Sequence, residues 1–142
     1  MVYLAKYSCL YLFDRSVKEN LMYPDSELNE TALKLIKYFK LGDLLNRKYT
    51  FSNNEDSEAS FKNTFSGGEK RRFNLVRCLS KEAEIYILDE PTNDLDSKNV
   101  NRLIKLLNKL KNKAIVVIIS HDERLINISN NVIKLKSKKA KQ

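Results

Sequence analysis

Glycine is scarce in this sequence. There are three, Gly42, Gly67 and Gly68, and none opens a G-x-x-x-x-G-K-[ST] loop. The usual glycine-rich nest for phosphates, with its lysine and its Mg²⁺-binding hydroxyl, is therefore not written anywhere in these residues. Tryptophan is absent, and proline occurs only at Pro24 and Pro91. Cys9 and Cys78 are too few for a disulfide framework and are not spaced as metal ligands, so a reducing, cytosolic setting is expected. Ala114–Ile119 is the longest uninterrupted apolar run. A bilayer-spanning helix needs about 20 such residues, so none is expected. The N-terminal stretch MVYLAKYSCLYLF is apolar, but Lys6 interrupts it and no small-residue cleavage pattern follows. It is not read as a signal peptide. Acidic residues are outnumbered by basic ones, giving a net charge of +8. The positive charge is spread along helices and into the tail Lys134–Gln142, as on a solvated face, and no aromatics alternate with it in the manner of single-strand binders. A nucleic-acid partner is not expected.

With 142 residues, one domain is the natural count. Val2–Ala5 is a candidate short strand. Leu12–Leu28 mixes short helical stretches with a break at Pro24. Between Asn29 and Phe39, Ala32, Leu35, Ile36 and Phe39 recur at helical spacing, and Gly42 is expected to end or interrupt that helix. Leu44 and Leu45 allow another short turn. Ser52–Ser60 is polar, acidic and without period, an exposed loop. A helix opens at Ser66, with Phe73, Val76 and Leu79, or Leu75 and Leu79, on its buried stripe. Ile85–Leu88 reads as a buried strand. Lys98–Leu110 is amphipathic, with Val100, Leu103, Leu107 and Leu110 inward and Asp96 or Ser97 as cap. Ala114–Ile119 is continuously apolar and β-branched, which predicts a central parallel strand buried on both faces. Asn131–Lys136 is a candidate last strand. Strand, helix, strand is a βαβ unit and makes the chain α/β.

The chemistry gathers at element ends. Asp89 and Glu90 come at the C-terminal end of the Ile85–Leu88 strand, just before Pro91. In open parallel sheets the ligand crevice lies outside those ends, where acids can hold a metal ion and activate water. Ser66 and Glu69 fit a capping box. That pattern leaves Gly67 and Gly68 unexplained, since two glycines in a first turn cost helix stability. They make sense where a ligand approaches the backbone closely, and a helix N-terminus suits an anion such as phosphate. His121 is the only histidine in the chain and ends the second apolar strand. At a strand mouth it is a candidate phosphate or water contact.

Taken together, these residues resemble the ATP-binding-cassette (ABC) ATPase family. FSGGEKRR at Phe65–Arg72 resembles its signature motif. IYILDE at Ile85–Glu90 resembles its Walker B. Leu95–Asp96 resembles its D-loop, and His121 resembles its switch histidine. Order and spacing match as well. LFDRSVKEN at Leu12–Asn20 resembles the segment after the Q-loop in exporter-type members, so the resemblance covers nearly the whole chain.

The resemblance implies a P-loop NTPase-like fold and two nucleotide-binding domains meeting head to tail, with ATP and Mg²⁺ between them. It implies that Asp89 holds Mg²⁺ through water and that Glu90 is the general base. His121 would touch the γ-phosphate. Ser66, Gly67 and Gly68, with Glu69 behind them, would serve the ATP of the partner domain, and Asp96 would couple the sites. A transmembrane transporter domain is the other implied partner, with the chain cytoplasmic at the inner face of the membrane. The departures are the missing phosphate loop and the Q-loop glutamine. Its place falls at about Ser8, and Gln142 is the only glutamine. Residues 1–142 are therefore read as the C-terminal part of a nucleotide-binding domain. About 14–80 would be a helical subdomain carrying the signature. About 81–142 would be the Walker B, D-loop and switch-histidine part of the core. The expected function is that of an exporter's ATPase component, inactive alone without a Walker A. The alternatives are a non-catalytic chain that offers its signature to a complete partner, and a soluble ABC ATPase acting in translation or DNA maintenance. Lacking neighbours, the two core strands should leave an exposed apolar edge.

Overall fold

The computed structural model describes residues 4–6, 17–22, 27–45 and 65–135. Among the described residues, three parallel strands form one sheet in the order β1-β2-β3, with β1 at Leu4–Lys6, β2 at Ile85–Asp89 and β3 at Ile115–Ile119. β2 pairs with β3 from Ile85↔Ile115 to Asp89↔Ile119, and with β1 from Leu4↔Ile85 to Lys6↔Ile87. Helices α1 (Val17–Met22), α2 (Glu30–Tyr38), α3 (Gly42–Leu45) and α4 (Gly67–Leu79) precede β2. α5 (Ser97–Leu110) crosses from β2 to β3, as parallel pairing requires, and α6 (Glu123–Ile126) follows β3.

One apolar core joins the helices to the sheet. Val17 and Leu21 of α1, Leu35 and Ile36 of α2, Phe73, Leu75 and Val76 of α4, Leu88 of β2 and Leu103 and Leu107 of α5 are buried in it. Truncating a fully buried leucine such as Leu103 to alanine should cost about 2–5 kcal/mol. α4 is buried more broadly than one stripe. Asn74 and Cys78 are also inside, while Leu79 is only half-buried, because α4 packs against α1, α2 and β1 rather than a single neighbour. Polar ties fix the helices at their ends. Asn29 Nδ2 donates to the Ser80 carbonyl at 2.9 Å, and Lys81 Nζ to the Met22 carbonyl at 2.9 Å.

The α2 terminus differs from expectation. Gly42 does not end that helix but starts α3. The helix stops at Tyr38, and Lys40 takes the left-handed conformation, φ 56°. Its N–H bonds the Lys37 carbonyl, and the Leu41 N–H bonds the Ile36 carbonyl at 2.9 Å, a Schellman closure with a lysine where glycine is usual. Burial of both Ile36 and Leu41 holds it shut.

β3 also differs. It is an edge among the described strands, and its exposure alternates. Ile115, Val117 and Ile119 are 62%, 44% and 53% exposed, so only one face packs on the core. The unbroken apolar run hid this alternation, since both faces carry β-branched residues. Residues 131–135 form no strand, and Val132, Ile133 and Leu135 are exposed there. The expected loop Ser52–Ser60 lies outside the described residues. The expected exposed apolar edge is present in β3, and such an edge is a template for pairing. Ile115→Lys should therefore lower self-association at micromolar concentration, with stability changed by no more than about 0.5 kcal/mol. Sedimentation velocity alongside a urea melt checks this; unchanged self-association would mean that β3 is not the adhesive surface.

Candidate functional site

α4 begins as its sequence dictates. Ser66 is the N-cap. Its Oγ accepts the Glu69 N–H at 3.2 Å, and the Glu69 carboxylate accepts the Ser66 N–H at 2.9 Å. Both members of the box are thus employed in the cap, while the amides of Gly67 and Gly68, in the first turn, have no acceptor within the helix. These two glycines have different reasons. Neither has a positive φ, so backbone freedom is not the point. A Cβ on Gly67 would sit at ordinary contact distance, 3.6 Å, from the Asp94 side chain. A Cβ on Gly68 would lie 3.0 Å from the Asp94 carbonyl oxygen. The turn after β2 therefore packs directly on the start of α4, and Gly68 has a structural role that the sequence did not disclose. Arg71 Nε reinforces the contact by donating to the Asn93 carbonyl at 3.0 Å.

That turn starts from Glu90, the residue after β2, which has φ 43°. Its N–H continues the ladder to the Ile119 carbonyl at 2.8 Å. Its side chain meets the end of β3. His121 Nδ1 lies 3.0 Å from Oε1, and Ser120 Oγ lies 3.3 Å from Oε2. Left-handed backbone at a non-glycine residue costs about 1–3 kcal/mol and persists only where its surroundings hold it. Here buried Pro91 and Thr92 and the ladder bond do so. Asp89 ends β2 with its side chain exposed.

The Glu90 carboxylate raises the pKa of His121, first through the hydrogen bond and then through its charge. The folded pKa lies above the unfolded one, so the pair's stabilisation is full below the ordinary histidine pKa. It is lost as pH rises through the raised value. Asp96 caps α5, accepting the Asn99 N–H at 2.8 Å and Asn99 Nδ2 at 2.9 Å. These bonds lower its pKa, with the Asn99 backbone contributing most. Asp122 caps α6, and Arg124 grips its carboxylate at 2.9 and 2.7 Å, which with a bond from Thr92 pulls its pKa down to about 2. Sign and direction are opposite to His121: this contribution is full above the ordinary aspartate pKa and fades as pH falls toward 2.

Asp89, Glu90 and His121 thus share the C-terminal mouth of the sheet, and Ser66–Glu69 reach the same turn from the other side through Asp94. Asp94, Ser120 and Asp122 were not foreseen as site residues. Asn93-Asp94 is a turn signal, and aspartate tolerates the left-handed backbone that Asp94 adopts, φ 60°. The donor sets suit the ligands the motifs imply. The amides of Gly67 and Gly68 and the Ser66 hydroxyl suit an anion. No group of three or more His, Cys, Asp or Glu is clustered to hold a metal among the described residues. Mg²⁺ does not need one, because it is commonly held by one or two carboxylates, waters and substrate phosphates. Asp89 fits that role.

The family model described as ABC transporter matches residues 3–93. The chain belongs to the ABC transporter family. It is 34% identical over 111 residues to the putative hemin import ATP-binding protein HrtA of Staphylococcus saprophyticus, covering 77% of this chain and 44% of that protein. It is 33% identical over 129 residues to the energy-coupling factor transporter ATP-binding protein EcfA2 of Mycoplasmoides gallisepticum, covering 87% and 38%. The dimeric ATP-binding cassette MJ0796, solved in a post-hydrolysis state with ADP and Pi, superposes with a TM-score of 0.63 at 25% identity, over 89% of this chain and 54% of that one. The chain therefore spans half or less of the curated relatives it matches. The fold is that of a partial ABC ATPase cassette, P-loop NTPase-like.

The glycine pair gives a ranking test. Alanine at position 67 gains helix propensity worth up to about 1 kcal/mol. At position 68 the same gain is opposed by the Asp94 carbonyl. Gly67→Ala should be the more stable variant by about 1 kcal/mol in thermal or urea melts, and the reverse order would mean that the 90–95 turn does not rest on α4.

Proposed function

We propose that this chain carries the hydrolytic and signature half-sites of an ABC transporter ATPase that drives export. The observation that carries the reading is the convergence of Glu90 and His121 at the mouth of β2 and β3. Bound ATP and Mg²⁺ supply the γ-phosphoryl group and neutralise its charge. Asp89, exposed at the strand end, would hold the metal through water. Glu90 would take the proton of the attacking water, with its carboxylate aimed by the left-handed turn and by Ser120 and His121. With Nδ1 of His121 engaged by Glu90, Nε2 is the ring atom left to face phosphate. The raised pKa favours an imidazolium, which donates from both nitrogens. Positioning and charge stabilisation of this kind carry most of phosphoryl transfer.

Two partners complete the proposal. A second ABC domain would meet this one head to tail, with its ATP on Ser66, Gly67 and Gly68, and Asp96 would help couple the two sites. A transmembrane domain would hold the chain at the inner face of the membrane. No described helix is long and apolar enough to cross a membrane itself. Export is favoured by the Leu12–Asn20 segment and by a 27% identical relative named a putative export ATP-binding/permease protein of Rickettsia bellii; HrtA carries an import name. A signature-donating role without autonomous turnover is the second reading, favoured by an intact α4 cap in residues that contain no phosphate loop.

The chain alone should release no phosphate from ATP. Mixed with an ABC domain whose phosphate loop is intact but whose signature is inactivated, it should raise that partner's turnover on the order of a hundredfold, the worth of a phosphoryl-site donor. Gly67→Asp should abolish the effect, because it adds bulk and negative charge where phosphate must sit. Glu90→Gln should leave it intact. Glu90-dependent turnover by the chain alone would overturn the missing-loop reading. Absence of any stimulation would overturn the signature role.

A further inference from the structure

Glutamate has three rotatable side-chain bonds, so one hydrogen bond to an exposed partner leaves its carboxylate free to wander. His121 is such a partner, with a side chain 82% exposed. The second oxygen of Glu90 is met by Ser120, which is half-buried at the end of β3. The Ser120 hydroxyl also accepts the Asp122 N–H at 3.1 Å. That bond occupies a lone pair and leaves the hydroxyl proton to turn toward Glu90 Oε2, the acceptor within reach. The 3.3 Å separation is long for a hydroxyl–carboxylate bond, as catalytic hydrogen bonds often are before substrate binds. The two oxygens of one carboxylate are thus addressed by two consecutive residues whose backbone is fixed by the β2–β3 register.

We infer that Ser120 is a positioning residue for Glu90: its hydroxyl anchors Oε2 so that Oε1 stays on His121 Nδ1. This rests on the reading of Glu90 as the base. The plainer role for Ser120 is local, a serine turn closed by the Asp122 N–H alone. The two roles separate cleanly, because the local one makes no demand on Glu90 or on the imidazole.

His121 is the chain's only histidine, so the imidazole ¹⁵N NMR spectrum of the full 142-residue chain reports it without assignment. Above the end of the ring's own titration, read from the same spectra, the imidazole is neutral, and its tautomer is set by its hydrogen bond. The Nδ1–H tautomer should dominate in the parent chain and give way to the Nε2–H form in Glu90→Ala, which removes the acceptor. Ser120→Ala should shift the ring in the same direction, and Ser120→Thr, which keeps the hydroxyl, should retain the parent spectrum. Thermal melts confirm that each variant is folded. A Ser120→Ala chain that keeps the Nδ1–H form while Glu90→Ala loses it would overturn the positioning role and leave the functional reading standing. Ser120→Thr behaving like alanine would overturn it too. An unchanged spectrum in Glu90→Ala would remove the Glu90–His121 pair itself, and both proposals with it.

Discussion

The parallel ladder between β2 and β3 is the constraint on which the site depends. Five consecutive partners, Ile85↔Ile115 to Asp89↔Ile119, set the register, and the Glu90 N–H extends it to the Ile119 carbonyl. A slip of one residue would send every side chain of β3 to the other face of the sheet. It would also separate Glu90 from Ser120 and His121. Burial specifies the register, because Tyr86 and Leu88 on β2 point into the core while Ile115, Val117 and Ile119 on β3 stay out of it. The acid and the histidine, 31 residues apart, are neighbours for this reason alone.

From that ladder the chain must turn at once into α5. It does so through two left-handed residues, Glu90 and Asp94, neither of them glycine. The turn is held from three sides. Pro91 and Thr92 are buried beneath it, Asp122 bonds Thr92 from the end of β3, and α4 supports it through Gly68 and Arg71. The start of α4 and the turn that carries Glu90 are consequently one packed unit.

Much of this was legible from residue types. The capping box at Ser66 and Glu69, the cap at Asp96, the apolar period of α5 and the strand before Asp89 are local signals that the structure bears out. The missed features depend on tertiary neighbours. Leu79 and Leu110 pack against the core, as their spacing implies, but remain half-buried. β3 was read as buried on both sides since its composition is uniform, yet only a packing partner decides which face is covered. The α2 terminus was assigned to Gly42, the expected residue for a left-handed turn, while Lys40 adopts that conformation under the pull of buried Leu41. The packing of Gly68 against the Asp94 carbonyl could not be read from residue types, because that carbonyl is distant in sequence.

The pairing of Glu90 with His121 is tested most directly by titrating the single histidine by NMR. The predicted result is a pKa above the ordinary 6.5 in the parent chain, restored to the ordinary range by Glu90→Gln. An unshifted value in the parent chain, or a raised value that survives Glu90→Gln, would contradict a site built on that pair.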